Sequence, residues 1–205
     1  MSLTVSAKQT SNKEYELAPA GNHLAICFQM VDLGEQYNAK YDSWQHKVQI
    51  GWELPNELMA DGRPFMVSSR YTMSLNEKAI LRRDLESWRG RPFTAEEEAG
   101  FDLKNVVGKP CMVNVVHNPS GDRTYANIKS VAAIPKGMTV PDQVNDSVIF
   151  EIDQTNPDLE MYYSLPEFLQ KTISDSRTWQ TMDASSQALD TSAPSGDAED
   201  DIPFN

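Results

Sequence analysis

The sequence predicts a mainly β chain: a five-stranded barrel with one helix between strands 3 and 4, a short C-terminal extension and an acidic tail. Three observations predict it. Apolar and polar residues alternate in separate short stretches, the period of half-buried strands. One helical stripe, Leu81, Leu85 and Trp88, interrupts them after the third stretch. Beyond Thr181 the chain is poor in apolar residues and ends Asp197-Ala198-Glu199-Asp200-Asp201-Ile202-Pro203-Phe204-Asn205.

Residues 1–14 are polar and read as a loose N-terminus. From Asn22 to Leu33, Leu24, Ile26, Phe28 and Met30 alternate as a first strand. A loop rich in aromatics and charge is expected from Gly34 to Gln45. Val48, Ile50 and Trp52 then alternate with Lys47, Gln49 and Glu53, a second strand that Pro55 closes. Asp61-Gly62 marks the turn into a third strand, Phe65 to Met73. Ser74-Leu75-Asn76-Glu77 has the form of a capping box, in which the serine takes an orphan amide and the glutamate reaches back. The helix it opens stops at Gly90, with Pro92 just beyond. A second box, Thr94-Ala95-Glu96-Glu97, opens a short helix ending near Gly100. Strands 4 and 5, Cys111 to His117 and Thr124 to Ile134, are joined by the turn-rich Asn118 to Arg123. Val148 to Ile152 reads as one more strand. A third box, Ser164-Leu165-Pro166-Glu167, opens a helix carrying Phe168, Leu169 and Ile173. The order strand–strand–strand–helix–strand–strand fits several small barrels, the OB-fold among them, and with the tail it points to the OB-fold. The expected divisions are 15–150 for the barrel, 151–180 for a helical extension packed on it and 181–205 for a disordered acidic tail.

A net charge of −12 argues against a nucleic-acid binder until it is divided. Residues 181–205 hold six acids and no Lys or Arg, leaving 18 basic against 24 acidic groups in the rest, a net of −6. Any nucleic-acid surface is then a local patch. Residues 104–136 supply one in sequence, with Lys104, Lys109, Arg123, Lys129 and Lys136 against Asp122 alone. Cys27 and Cys111 lie in apolar runs and read as buried small hydrophobes in a reducing cytosol. With no apolar N-terminal leader and no stretch long enough to span a bilayer, a soluble cytoplasmic protein is expected.

The terminus, an acidic run followed by Ile202, Pro203 and Phe204, resembles the C-terminal tail of bacterial-type single-stranded DNA-binding proteins, with Asn205 following where that family ends on Phe. The body resembles single-stranded DNA-binding proteins of tailed bacteriophages through Gly-Asn-His-Leu-Ala at 21–25, Val-Asp-Leu-Gly at 31–34, Trp-Glu-Leu-Pro at 52–55 and Ser-Leu-Pro-Glu at 164–167. The resemblance implies a protein that coats single-stranded DNA in replication or recombination in the host cytoplasm. It implies a partner-recruiting tail in Asp200, Asp201, Ile202, Pro203 and Phe204. The tail is also expected to compete with DNA for the basic groove. Whether the chain forms a homo-oligomer stays open; no membrane partner is implied.

Sequence-independent binding of single strands needs aromatic faces for bases and cations for phosphates. The expected loop between strands 1 and 2 holds Tyr37, Lys40, Tyr41 and Trp44, which either contact DNA or seal the barrel end. The phase that buries Val48 and Ile50 turns Lys47 and Gln49 outward on strand 2, and Arg70 lies outward on strand 3. Strand 5 offers Tyr125 and Lys129, with Arg123 beside the 4–5 loop. Lys78, Arg82 and Arg89 on the helix read as a solvated face with charge pairing. Trp52, Trp88, Phe28 and Phe65 read as core, and Trp179 has no assigned place.

No enzyme is expected. There is no phosphate-binding Gly-rich loop with Lys-Ser/Thr. His23, His46 and His117 fall on separate elements without metal-ligand spacing, and two distant cysteines make no redox motif. Glu96-Glu97-Glu98 suits a helix N-terminus better than a metal. Neither cofactor nor metal is therefore expected. The competing class is a protein-interaction adaptor whose tail imitates that of a host single-stranded DNA-binding protein and captures its clients. A nuclease on the same scaffold finds little support.

Overall fold

A computed structural model describes residues 16–182. The sites at Asp200, Asp201, Ile202, Pro203 and Phe204, and residues 1–14, lie outside that range. Six strands make one sheet: β1 Gly21–Asn38, β2 Ser43–Leu58, β3 Pro64–Thr72, β4 Pro110–Ser120, β5 Arg123–Ala132 and β6 Val148–Phe150. The hydrogen-bonded order is β3-β2-β1-β4-β5, all antiparallel, and β6 adds parallel to β1 at Gln29–Val31. Four α-helices, α1 Ile80–Arg89, α2 Ala95–Ala99, α3 Leu159–Ser164 and α4 Glu167–Ser174, accompany them among the described residues, with a 3-10 turn at Leu103–Val106 and a further helical turn at 177–182. The chain is thus mainly β, with α1 set between β3 and β4.

The alternation buries what it predicts on one face. Val48, Ile50, Trp52 and Leu54 of β2 meet Val67 and Tyr71 of β3, Val113 and Val115 of β4 and the Leu81–Leu85–Trp88 stripe of α1 in the main core. Trp88 Nε1 donates to the Pro110 carbonyl at 2.8 Å, so its burial strands no donor. Gly90 ends α1 in the left-handed region at φ 68°, as a C-terminal glycine should. Cys27 and Cys111 are free and buried, and burial pushes the Cys27 thiol up to about 12.

The opposite face of β1 is not solvated. Val31 and Leu33 form a second core with Phe150, Tyr162, Leu165, Leu169, Ile173, Trp179 and Met182. Trp179 stacks on Tyr162 with ring centroids 4.5 Å apart. Residues 177–182 form a helical turn, so this extension includes Thr181 and Met182, beyond the expected boundary at 180. Met182 is the reason: it is 8% exposed and belongs to this core.

Several local readings are corrected. The expected loop from Gly34 to Gln45 is a hairpin: β1 and β2 stay paired out to Asn38↔Ser43, and only residues 39–42 turn. Bulges at Phe28 and Leu33 interrupt the β1 register and bend the strand. Pro55 does not close β2, because the β2–β3 register shifts between Leu54 and Leu58 and no ladder bond is asked of it. The Ser74 box does not form: its hydroxyl accepts the Asn76 amide at 3.2 Å in a local turn, and α1 begins after Ala79 without a side-chain cap. Ser164 ends α3 and donates to the Met161 carbonyl, leaving Pro166 to start α4. The Thr94 box forms in full, with Glu97 N to Thr94 Oγ1 at 3.3 Å and Thr94 N to Glu97 Oε2 at 3.0 Å.

Candidate nucleic-acid interface

The β1–β2 hairpin lifts an aromatic cluster out of the sheet. Tyr37 and Trp44 are register partners, so their rings meet across the strands at 5.5 Å between centroids. Both are exposed, at 53% and 41%, and Tyr41 at the turn is 63% exposed. Lys40 Nζ lies 5.4 Å from the Tyr41 ring centroid. The Tyr37 hydroxyl donates to the Asp42 carboxylate, which raises its pKa and keeps it a phenol. Tyr37, Lys40, Tyr41 and Trp44 therefore come together as the sequence predicts, on a strand-borne tip rather than a loop.

The hairpin is anchored at its base. Asp32 Oδ1 accepts the Gly34 amide at 2.8 Å and stands 2.6 Å from His46 Nε2. Glu35 N donates to Thr178 Oγ1 at 2.9 Å, tying β1 to the C-terminal turn. From that turn comes a cation that sequence reasoning missed. Arg177 lies with Cζ 5.1 Å above the Trp44 ring and pairs with Glu35 at 2.6 Å. It stands well over a hundred residues from the hairpin in sequence, and nothing local to Ser176-Arg177-Thr178 marks it.

Lys47 and Arg70 sit differently from their expected free positions. Alternation along β2 sets Lys47 with Gln45 and Gln49 on the face away from Trp44, His46 and Val48. Lys47 Nζ is held 2.7 Å from Gln45 Oε1 and 2.6 Å from Thr72 Oγ1, and burial lowers its pKa. Gln49, expected outward, is 3% exposed. Arg70 is exposed yet reaches Gln49 Oε1 at 3.2 Å and Thr172 Oγ1 of α4 at 3.3 Å. Glu53, also on this face, is fully buried, its carboxylate accepting the Val144 and Asn145 amides at 2.7 and 2.8 Å. The outer face of β2 is thus covered at two places by chain that follows β5.

Arg123, Tyr125 and Lys129 are exposed on β5, with Tyr125 at 47%. Lys129 occupies a bulge, since Asn114 pairs with Ser130 and Val115 with Ile128. Gly21 pairs with Val115, and β4 runs on to Ser120 beyond it. The β4–β5 hairpin therefore projects past the start of β1 and the aromatic hairpin past its end. The strand pairing does not bring the two groups together.

Lys78 lies ahead of α1, and the arginines read as a solvated face are mostly covered and paired instead. Arg82 bonds Glu86 and Glu98, and Glu97 takes Arg89, Arg91 and the Thr94 amide, which holds its carboxyl down at about 2. Among the described residues no three His, Cys, Asp or Glu side chains gather as metal ligands would, and no helix is long and apolar enough to cross a membrane. No protein-family profile matches the chain, and no curated protein is detectably similar to it.

Proposed function

We propose that this chain binds single-stranded DNA without sequence preference and coats it in phage-type replication or recombination, on an OB-type barrel, with its acidic terminus recruiting partner proteins. One observation carries the proposal. Three exposed aromatic side chains, Tyr37, Tyr41 and Trp44, stand beside Lys40 and Arg177 on an otherwise acidic chain. Exposed rings next to cations serve bases and phosphates together, each stacked base contributing about 1–3 kcal/mol.

The strand order supports the OB part. The path β3-β2-β1-β4-β5 is the strand order of an OB ring opened between β3 and β5; the two end strands lie near each other without a hydrogen-bonded ladder, and α1 packs on both. The outer face of strands 2 and 3, where such barrels take ligands, is partly covered here. That favours a strand path over the aromatic hairpin and the rim at Lys47 and Arg70, with Arg123, Tyr125 and Lys129 as a second contact.

Fluorescence anisotropy with labelled oligo-dT and a duplex of equal length, at about 50 and 200 mM salt, tests this. Tight, salt-sensitive binding of the single strand is expected, weakened in Trp44→Ala, Tyr41→Ala and Lys129→Ala. Oligonucleotide binding that is undetectable at low salt, with client proteins still captured through the tail, would establish the adaptor instead.

A further inference from the structure

We infer that Arg177 is a direct phosphate contact, so that the C-terminal extension completes the interface; this rests on the single-strand-binding reading above. A guanidinium lying on an indole is held by its face and keeps its N–H edges in the ring plane, pointing outward as a fork suited to phosphate. Arg177 Cζ lies over the Trp44 ring, 5.1 Å from its centroid. Its Nε and Nη2 both go to one Glu35 oxygen, at 2.8 and 2.6 Å, and its side chain is 50% exposed. Nη1 keeps its two protons uncommitted among the described residues.

The position is prepared before any ligand arrives. Thr178 Oγ1 holds the Glu35 amide, Ser176 Oγ accepts the Trp179 amide at 3.1 Å, and Trp179 is clamped on Tyr162. A cation fixed in this way loses little freedom on binding. Lys47, the other cation near the hairpin's base, is occupied by Gln45 and Thr72. A base stacked on the side of Trp44 that Arg177 leaves open brings its phosphate beside Arg177, and Glu35 is the placeholder that phosphate displaces.

A purely structural role makes a different forecast. If Arg177 only pins the extension to the hairpin, losing either member of the Arg177–Glu35 pair weakens binding alike. As a phosphate contact, Arg177→Ala weakens binding while Glu35→Gln, which frees the fork, tightens it. The full chain is titrated with labelled oligo-dT across a salt series, with Arg63→Ala as the control for loss of one exposed paired charge. Arg177→Ala should bind about fivefold more weakly than Arg63→Ala, with a salt slope shallower by about 1. Arg177→Lys, which keeps the charge without the planar fork, should keep the slope and lose part of the affinity. Arg177→Ala matching Arg63→Ala while Trp44→Ala still weakens binding overturns the inference and leaves the interface standing. Both Arg177→Ala and Trp44→Ala at wild-type affinity overturn the interface itself. Glu35→Gln weakening in step with Arg177→Ala, with lowered melting temperatures, reduces Arg177 to a pin.

Discussion

His46 on β2 and Asp32 on β1 meet at 2.6 Å, Nε2 to Oδ1, at the base of the aromatic hairpin and two residues from Trp44. Asp32 is fixed from other sides by the Gly34 amide at 2.8 Å and the Ile152 amide at 3.4 Å, so the imidazole docks on a prepared acceptor. The hydrogen bond to Asp32 raises the His46 pKa above its ordinary 6.5; burial opposes this, and the charges of Asp32 and Glu35 add to it.

A raised folded-state pKa stabilises below the unfolded value and is lost as pH climbs through the folded one. Wild type should therefore lose stability relative to His46→Gln as pH rises from about 6 through the raised pKa, the ordinary histidine value lying near 6.5. The side chain is 39% exposed, so the effect is modest. Urea midpoints of both proteins across pH 6 to 8.5 (about half-unit steps) read it directly. A difference between the two that does not vary with pH contradicts the pairing.

Glu53 should be the most sensitive polar position in the described chain. Its carboxylate has no solvent contact and accepts the amides of Val144 and Asn145 and the Asn145 side-chain amide. Glu53→Ala should cost about 3 kcal/mol, because bonds to a buried charged acceptor are strong and their donors are left behind. Glu53→Gln is nearly isosteric but turns an NH2 toward donors, so it should lose about 1–3 kcal/mol as well. Urea unfolding of both against wild type provides the measurement, and a Glu53→Gln as stable as wild type would show that the 144–145 amides do not depend on the charge.

Glu53 also marks where sequence and structure part. On β2 the inner face was legible, since Val48, Ile50 and Trp52 alternate and are all buried. Gln49 was expected outward, and Glu53 shares its face, because strand alternation reports only one face. Their cover comes from chain after β5, at Val144, Asn145 and Thr172, far away in sequence. Of the three capping boxes, one survived: Thr94 had no competing partner, whereas Ser74 closed a local turn and Ser164 was already the end of α3. The aromatic tip was legible because three rings in a polar stretch have no core to serve. Its cation Arg177 was not, because a contact across the whole β body leaves no local pattern.

Gly34 couples that hairpin to the C-terminal turn. It sits at φ +67°, and a Cβ there would meet Ser176 Oγ at 2.6 Å, Ser176 Cβ at 2.9 Å and Ile152 Cδ1 at 3.1 Å. Gly34→Ala should cost about 1–2 kcal/mol from the left-handed backbone alone, with the collision added. Ser176→Gly removes the atoms struck. The double variant should be less destabilised than the two single losses summed, and strict additivity in a double-mutant cycle would rule out the collision.

Met182 belongs to the second core. It is 8% exposed in the second core, whereas residues 183–205 add six acids and no Lys or Arg. A chain ending at Gln180 should melt lower than one ending at Met182, because the Met182 side chain then leaves the cluster around Tyr162 and Trp179. Both shortened chains fall from a net charge of −12 to −6, since Thr181 and Met182 are neutral. If the carboxylates compete with DNA for the cations, the chain ending at Met182 binds oligo-dT more tightly than the full chain, by a margin that shrinks as salt rises. Equal affinity at low salt would remove the competition. The pair of end points separates the two causes, because charge is the same in both and only one takes Met182 out of the core whose turn holds Arg177 over Trp44.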